Sequence, residues 1–199
     1  MTEKTQQKDF YIFRHGQSSY NLAGRTQGRT NDSVLTELGR EQAQEVGKKL
    51  VGRGVQIIVS SPLARAQETA KLANLSLNVP IISDNRFIEV NVGEIEGLHY
   101  TEIMDKFGEK YQQWRSSDCK YENICFAGGE TKKQVRERVF SGLKDYAQNS
   151  KYDVLAISSH GIMLSQVLIA MGVGVIDVKN GAILHISYNN GSWKVEEWL

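Results

Sequence analysis

Two hydrophobic runs, Asp9 to Phe13 and Tyr152 to Ile157, each end in a short polar corner built on His-Gly: Arg14-His15-Gly16 in the first, Ser158-Ser159-His160-Gly161 in the second. Placed as neighbouring strands of a parallel sheet, they bring the imidazoles of His15 and His160 side by side at the carboxyl edge. That edge is where open α/β sheets bind ligands. One such corner says little, whereas two matched corners define a candidate site.

The intervening sequence keeps a βα rhythm. Thr36 caps a helix whose apolar positions Leu38, Ala43, Val46 and Leu50 roughly follow helical spacing, and Gly52 and Gly54 end it. Val55 to Val59 reads as a buried strand, Ser60-Ser61-Pro62 as a turn, and Leu63 to Ala73 as a helix with its proline at the start. A short strand follows at Ile81-Ile82. The stretch from Glu89 to Glu130 is aromatic, charged and punctuated by glycine, without a clear sheet signal, and reads as a small cap over about residues 90–130. Helical spacing returns over Thr131 to Tyr146 and again over Ile162 to Met171, after the second corner. Ile183 to Tyr188 and Trp193 to Trp198 flank Asn189-Asn190-Gly191, a hairpin signal. The expected fold is three-layer α/β/α, with a mostly parallel mixed sheet, one antiparallel strand near the C-terminus and a small cap insertion. A chain of 199 residues without linker or repeat suits one domain over residues 1–199.

Charge excludes some classes of partner. With 24 Lys plus Arg against 23 Asp plus Glu and no basic block, nothing favours nucleic acid. No stretch reaches the ~18 apolar residues of a membrane helix, and the polar start lacks a signal core, so a cytoplasmic location is expected. Cys119 and Cys125 fit neither a zinc spacing nor a disulfide framework and read as reduced thiols. Apolar helix faces leave a homodimer open.

The residues at the strand ends suit an anion. Arg14, His15 and His160 gather there, and Ser60-Ser61-Pro62-Leu63-Ala64-Arg65 brings a second guanidinium from a third strand end. Arginine offers a fixed fork of donors that matches phosphate oxygens, and Gly16 reads as a place where backbone approaches the ligand. Asn21 and the Ser18 hydroxyl add neutral donors, and a helix amino terminus after either corner adds partial positive charge. Phosphate is the expected guest.

These residues, with Gln17, Ser61-Pro62-Leu63-Ala64-Arg65-Ala66, Glu89, Gly128-Gly129-Glu130-Thr131 and the closing Asn180-Gly181, resemble the histidine phosphatase superfamily, whose members include phosphoglycerate mutase-like enzymes. The likeness runs in the family's order over nearly the whole chain. Gln17 departs from the family's commoner Glu at a position that is not the nucleophile. The resemblance implies that His15 takes the phosphoryl group as a phosphohistidine, that Arg14, Arg65 and His160 stabilise the transferring oxygens, and that Glu89 protonates the leaving oxygen. It then implies that Glu89 draws a proton from the attacking water. Gly16, Ser18, Asn21, Gln27 and Gly161 are the substrate-binding set. No metal or other cofactor is implied, since arginines supply the charge.

Glu94 and Glu96 stand as fallback acids. Arg25 and Arg29 are specificity candidates from the loop after Asn21, and Tyr100, Tyr111 and Trp114 belong either to the pocket mouth or to a small core, with core favoured for Trp114. His99 and His185 carry no catalytic pattern. Because the segment from Glu89 to Glu130 is short compared with the insertion of glycolytic mutases, the expected activity is hydrolysis of a small phosphorylated metabolite. A cofactor-dependent mutase, a phosphohistidine-protein phosphatase and a non-catalytic phospholigand scaffold are the alternatives.

Overall fold

The computed structural model describes residues 7–174 and 177–199, so residues 1–6 of the polar start lie outside the described residues. Six strands form one sheet in the order β3-β2-β4-β1-β5-β6. They are β1 (Lys8–Arg14), β2 (Ile57–Ser60), β3 (Ile81–Ser83), β4 (Val154–Ser159), β5 (Ile183–Asn189) and β6 (Ser192–Trp198). β1 pairs with β4 in parallel, and β2 lies parallel to both β4 and β3. β5 alone runs against the rest, antiparallel to β1 on one side and to β6 on the other. Asn190 and Gly191 both adopt positive φ, 47° and 90°, as the tight turn between β5 and β6 requires.

Alternation along β1 explains the layers. Phe10 and Ile12 point to one face, and Tyr11 and Phe13 to the other; both pairs are buried, so both faces must be covered. The Tyr11 face is covered by α2 (Glu37–Leu50) and α3 (Ala64–Leu77) through Val46, Leu50, Ala70 and Ala73. The Phe10 face receives α5 (Lys132–Asn149) and α6 (Gly161–Ala170) through Val135, Val139, Leu143, Leu164 and Leu168. Each fully buried aliphatic side chain of this kind contributes about 1.5–3 kcal/mol. The α/β/α expectation holds. Among the described residues, no helix is long and apolar enough to cross a membrane.

Three local expectations shift. Leu38 is 47% exposed, and the inward line of α2 runs through Gly39, Ala43, Val46, Gly47 and Leu50 instead. An apolar count overlooks glycine, yet a Cβ on Gly39 would stand 2.0 Å from the Gln17 carbonyl oxygen, so only glycine lets this helix approach the first corner. The helix expected to close at Ala73 continues to Leu77 and ends on Asn78 in the left-handed region, φ 51°. The stretch without a sheet signal holds a 16-residue helix, α4 (Tyr100–Arg115), capped by the His99 side chain. Its Ile103, Tyr111 and Trp114 are buried and join the same core as Phe10 and Leu155, so this segment has no separate core of its own.

Candidate active site

Register places the two corners. Arg14 stands opposite Ser159 at the parallel ends of β1 and β4, and the His15 amide donates to the Ser159 carbonyl at 2.9 Å. The His15 and His160 rings follow, edge to face, with centroids 5.3 Å apart. β2 ends beside them, and Ser61 presents its hydroxyl 2.7 Å from His160 Nε2.

His15 is held in one tautomer. Its Nδ1 lies 2.7 Å from the Gly16 carbonyl oxygen, which can only accept, so Nδ1 carries the proton and Nε2 keeps its lone pair. Arg65 Nε donates toward that lone pair at 3.3 Å. Burial lowers the His15 pKa well below its ordinary 6.5, and the nearby Arg65 and Arg14 charges push it the same way. His160 is also lowered well below 6.5, again chiefly by burial and then by Arg65. Both imidazoles are therefore neutral near neutral pH, and a neutral imidazole is a nucleophile.

Arg65 is 1% exposed, and its two terminal nitrogens donate to the Thr30 and Gly28 carbonyls at 2.8 Å. Burial lowers its pKa to about 10, which leaves it charged. Burial also lowers the Arg14 pKa, with Glu89 and Asp177 opposing. Two buried side-chain atoms lack a hydrogen-bond partner among the described residues, Arg14 Nε and His160 Nδ1. Buried polar groups are nearly always paired, so these two orphans set the adjoining corners apart from the rest of the interior.

Glu89 comes to the same place by a different route. Its carboxylate accepts backbone N–H bonds from Val90, Ile162 and Met163 at 2.9–3.1 Å, the last two at the start of α6. The amino terminus of α6 thus serves Glu89, which corrects the expectation that it faces the ligand. Behind Glu89, Arg138 donates to the Ile88 and Glu89 carbonyls at 2.7 and 3.0 Å, and Arg29 donates to the Glu89 carbonyl at 3.1 Å. Glu130 binds both guanidinium groups, at 3.0 and 2.8 Å. The Gly-Gly-Glu motif therefore fixes the backbone that carries Glu89.

Arg14, His15, Asn21, Gln27, Glu89 and Gly161 line one cavity of about 280 Å³. Arg65 and His160 stand behind that wall, against His15. Ser18 is fully buried as the cap of α1 (Ser19–Leu22), with its hydroxyl oxygen accepting from the Asn21 amide and lying 2.8 Å from the Gln27 and 3.0 Å from the Asn21 side-chain oxygen, so it reaches the cavity only through those two. Gly16 is buried against α2 and not against the cavity: a Cβ there would meet the Gly39 carbonyl oxygen at 2.0 Å. Its ligand-approach reading is replaced by helix packing. Arg25 lines the cavity, whereas Arg29 is tied to Glu130 and Glu89. Glu94 and Glu96 accept backbone bonds from Ala127 and Arg29 and do not line the cavity. Tyr100, Tyr111 and Trp114 do line it; the last two are also core. His185 stacks on Tyr11 and bonds Asp9, far along β1 from the corner. Cys119 and Cys125 are both free thiols.

Sequence reasoning missed the residues that position others. Asn180, which the sequence offers only as part of the family pattern, bridges the His15 carbonyl and the Asn21 side chain at 3.0 and 3.1 Å. Thr69 Oγ1 accepts the Gly16 amide from α3 at 3.2 Å. Arg138, Arg115 and Lys132 carry no motif: Arg138 binds backbone carbonyls and Glu130, Lys132 a backbone carbonyl, and Arg115 lines the cavity.

Fold and site together define an α/β protein with a buried, arginine-clamped histidine pair at the carboxyl edge of a mixed sheet. The model of the histidine phosphatase superfamily (branch 1) matches residues 10–199, and the chain belongs to that family. It is 31% identical over 173 residues, 87% of this chain and 83% of the relative, to a Hydrogenobacter thermophilus protein named "Putative phosphoserine phosphatase 2". The structure of a mycobacterial glucosyl-3-phosphoglycerate phosphatase with VO3 superposes with a TM-score of 0.83 at 25% identity, covering 96% of this chain and 98% of that one. A phosphoglycerate mutase from Bacillus anthracis shares the fold, with a TM-score of 0.86 at 22% identity over 97% and 93% of the two chains.

Proposed function

We propose that this protein is a metal-independent phosphatase of small phosphomonoesters, working through a phosphohistidine on His15 with Glu89 as general acid and base. The observation that carries this reading is the fixed tautomer of His15: a neutral imidazole whose unprotonated Nε2 is met only by the long 3.3 Å contact from Arg65, beside a half-buried Arg14 in a cavity shared with a carboxyl side chain. In the first step Nε2 attacks phosphorus, the bond to the leaving oxygen breaks, and Glu89 supplies that oxygen's proton. Arg14 and Arg65 balance the charge on the equatorial oxygens in a site preorganised by burial. In the second step Glu89 takes a proton from water, water oxygen attacks phosphorus, and the P–N bond breaks to free Nε2. The phosphatases among the relatives support hydrolysis as the outcome.

The test is inorganic phosphate release from a panel of phosphorylated metabolites, phosphoglycerates included, with chelator present. Release should fall at least about 10³-fold in His15→Ala, the size of effect that loss of a nucleophile produces. Interconversion of phosphoglycerates without phosphate release would replace this reading with a mutase. Tight phosphate binding with neither activity would leave a scaffold.

A further inference from the structure

The cavity continues past the reacting centre into a second, differently built end. There the carboxyl end of α4 and the start of α5 supply Trp114, Arg115, Ser116 and Lys132. A shallower groove over Tyr100, Met104 and Arg115 opens from the same place.

Lys132 is the unusual member. It is only 5% exposed, and its ammonium, with three protons to donate, has one hydrogen-bond acceptor among the described residues, the Ser116 carbonyl at 2.5 Å. It is also the first residue of α5, where the helix dipole favours an acid over a cation. The acids near enough to favour its charge are already engaged: Glu122 by Arg136 and Asp118 by Lys120. Burial and the neighbouring Arg136 charge both lower its pKa. A half-satisfied ammonium at a cavity wall is costly alone and favourable opposite an anion. Arg115 lines the same end with no hydrogen bond or ion pair of its own among the described residues, although the Asp177 carboxylate is near enough to feel its charge. That carboxylate is held by Lys179 at 2.9 Å.

We propose that Lys132, assisted by Arg115, is a specificity-determining residue that binds a second anionic group, a carboxylate or a further phosphate, on the leaving-group side of the substrate. This deepens the phosphatase reading and rests on it. It makes the substrate class a phosphomonoester with a distal negative charge, in place of a neutral sugar or alcohol phosphate.

The test compares substrates that differ only in that charge: 3-phosphoglycerate against its amide, and 4-carboxyphenyl phosphate against 4-carbamoylphenyl phosphate. A third pair, propanediol bisphosphate against the monophosphate, separates phosphate from carboxylate. The intact protein should favour the anionic member of at least one pair by roughly 10- to 100-fold in kcat/KM, carried mainly by KM. Lys132→Met should bring that ratio close to one, and Lys132→Arg should restore part of it. A purely structural lysine would lower both members of a pair alike, which would overturn the proposal, as would a ratio near one in the intact protein. Calorimetric binding of the same pairs to His15→Ala reads the charge preference without turnover. Failure of the phosphatase reading, no phosphate release from any substrate, is thereby separated from failure of the charge preference. A melting curve of Lys132→Met confirms that the fold persists.

Discussion

The two ends of the cavity are built on different principles. The inner end stands on strand termini: β1, β4 and β2 are locked in register, and His15, His160, Arg14 and Arg65 inherit their places from it. The outer end stands on the close of α4, which sets Arg115, and on the start of α5, which sets Lys132. A one-residue slip in β1 would turn its whole apolar set over, so the inner end cannot drift without loss of the core. The outer end can change residue by residue while Trp114 and Tyr111 still fill their share of the core. On the proposed reading, chemistry sits on the rigid part and discrimination on the adjustable part.

Three changes would break or sharpen that contrast. The largest effect is expected at Arg138→Met, which frees the Ile88 and Glu89 carbonyls and unties Glu130. Misplacing the Glu89 carboxyl should lower kcat about 10²-fold with little change in KM. A loss confined to KM would show that Arg138 serves the outer end instead.

Next comes pH. His15 and His160 are neutral when folded, with pKa values well below 6.5, so the unfolded chain takes up protons that the folded one refuses as pH falls through 6.5. Their contribution is intact above that pH and is lost below it, by up to about 1.4 kcal/mol per histidine for each unit. Melting in buffer free of oxyanions should show stability falling from 6.5 downward, and the fall should be shallower in the His15→Asn, His160→Asn double variant. Equal slopes would mean that the imidazoles are not held neutral. Asp84 and Glu130, whose arginine partners lower their pKa values, act only in a more acidic window.

The smallest effect is expected at His99→Ala. It removes the α4 cap, where the side chain accepts from the Thr101 amide at 3.3 Å, and should cost about 1 kcal/mol in chemical denaturation. If the outer end is as separable as its construction implies, KM should rise while kcat holds. A matching fall in kcat would show that the two ends are mechanically joined.

Much of this was legible in advance because the signals were local. Both His-Gly corners, the Thr36 cap and the Asn-Gly hairpin declare themselves through backbone chemistry that depends on near neighbours in sequence. What escaped depended on groups with no side-chain signature. Gly39 faces inward because a carbonyl oxygen needs the room, so Leu38 was placed on the wrong side. Arg138 binds carbonyls that lie 49 and 50 residues away, and no spacing rule announces a carbonyl. α4 was read only as cap because aromatic and charged residues alternated without a clean period.

The sequence by itself determined which residues are present at the strand ends and, through the apolar runs before them, that those ends meet. Only the tertiary structure decided the state of each group there. Burial made the histidines neutral, the Gly16 carbonyl fixed which nitrogen of His15 carries the proton, the α6 amides claimed Glu89, and packing left the Lys132 ammonium with one partner. The physical reason is that side-chain identity is covalent, whereas protonation, tautomer and hydrogen-bond satisfaction depend on how much water the fold removes and which backbone groups it puts in place of that water.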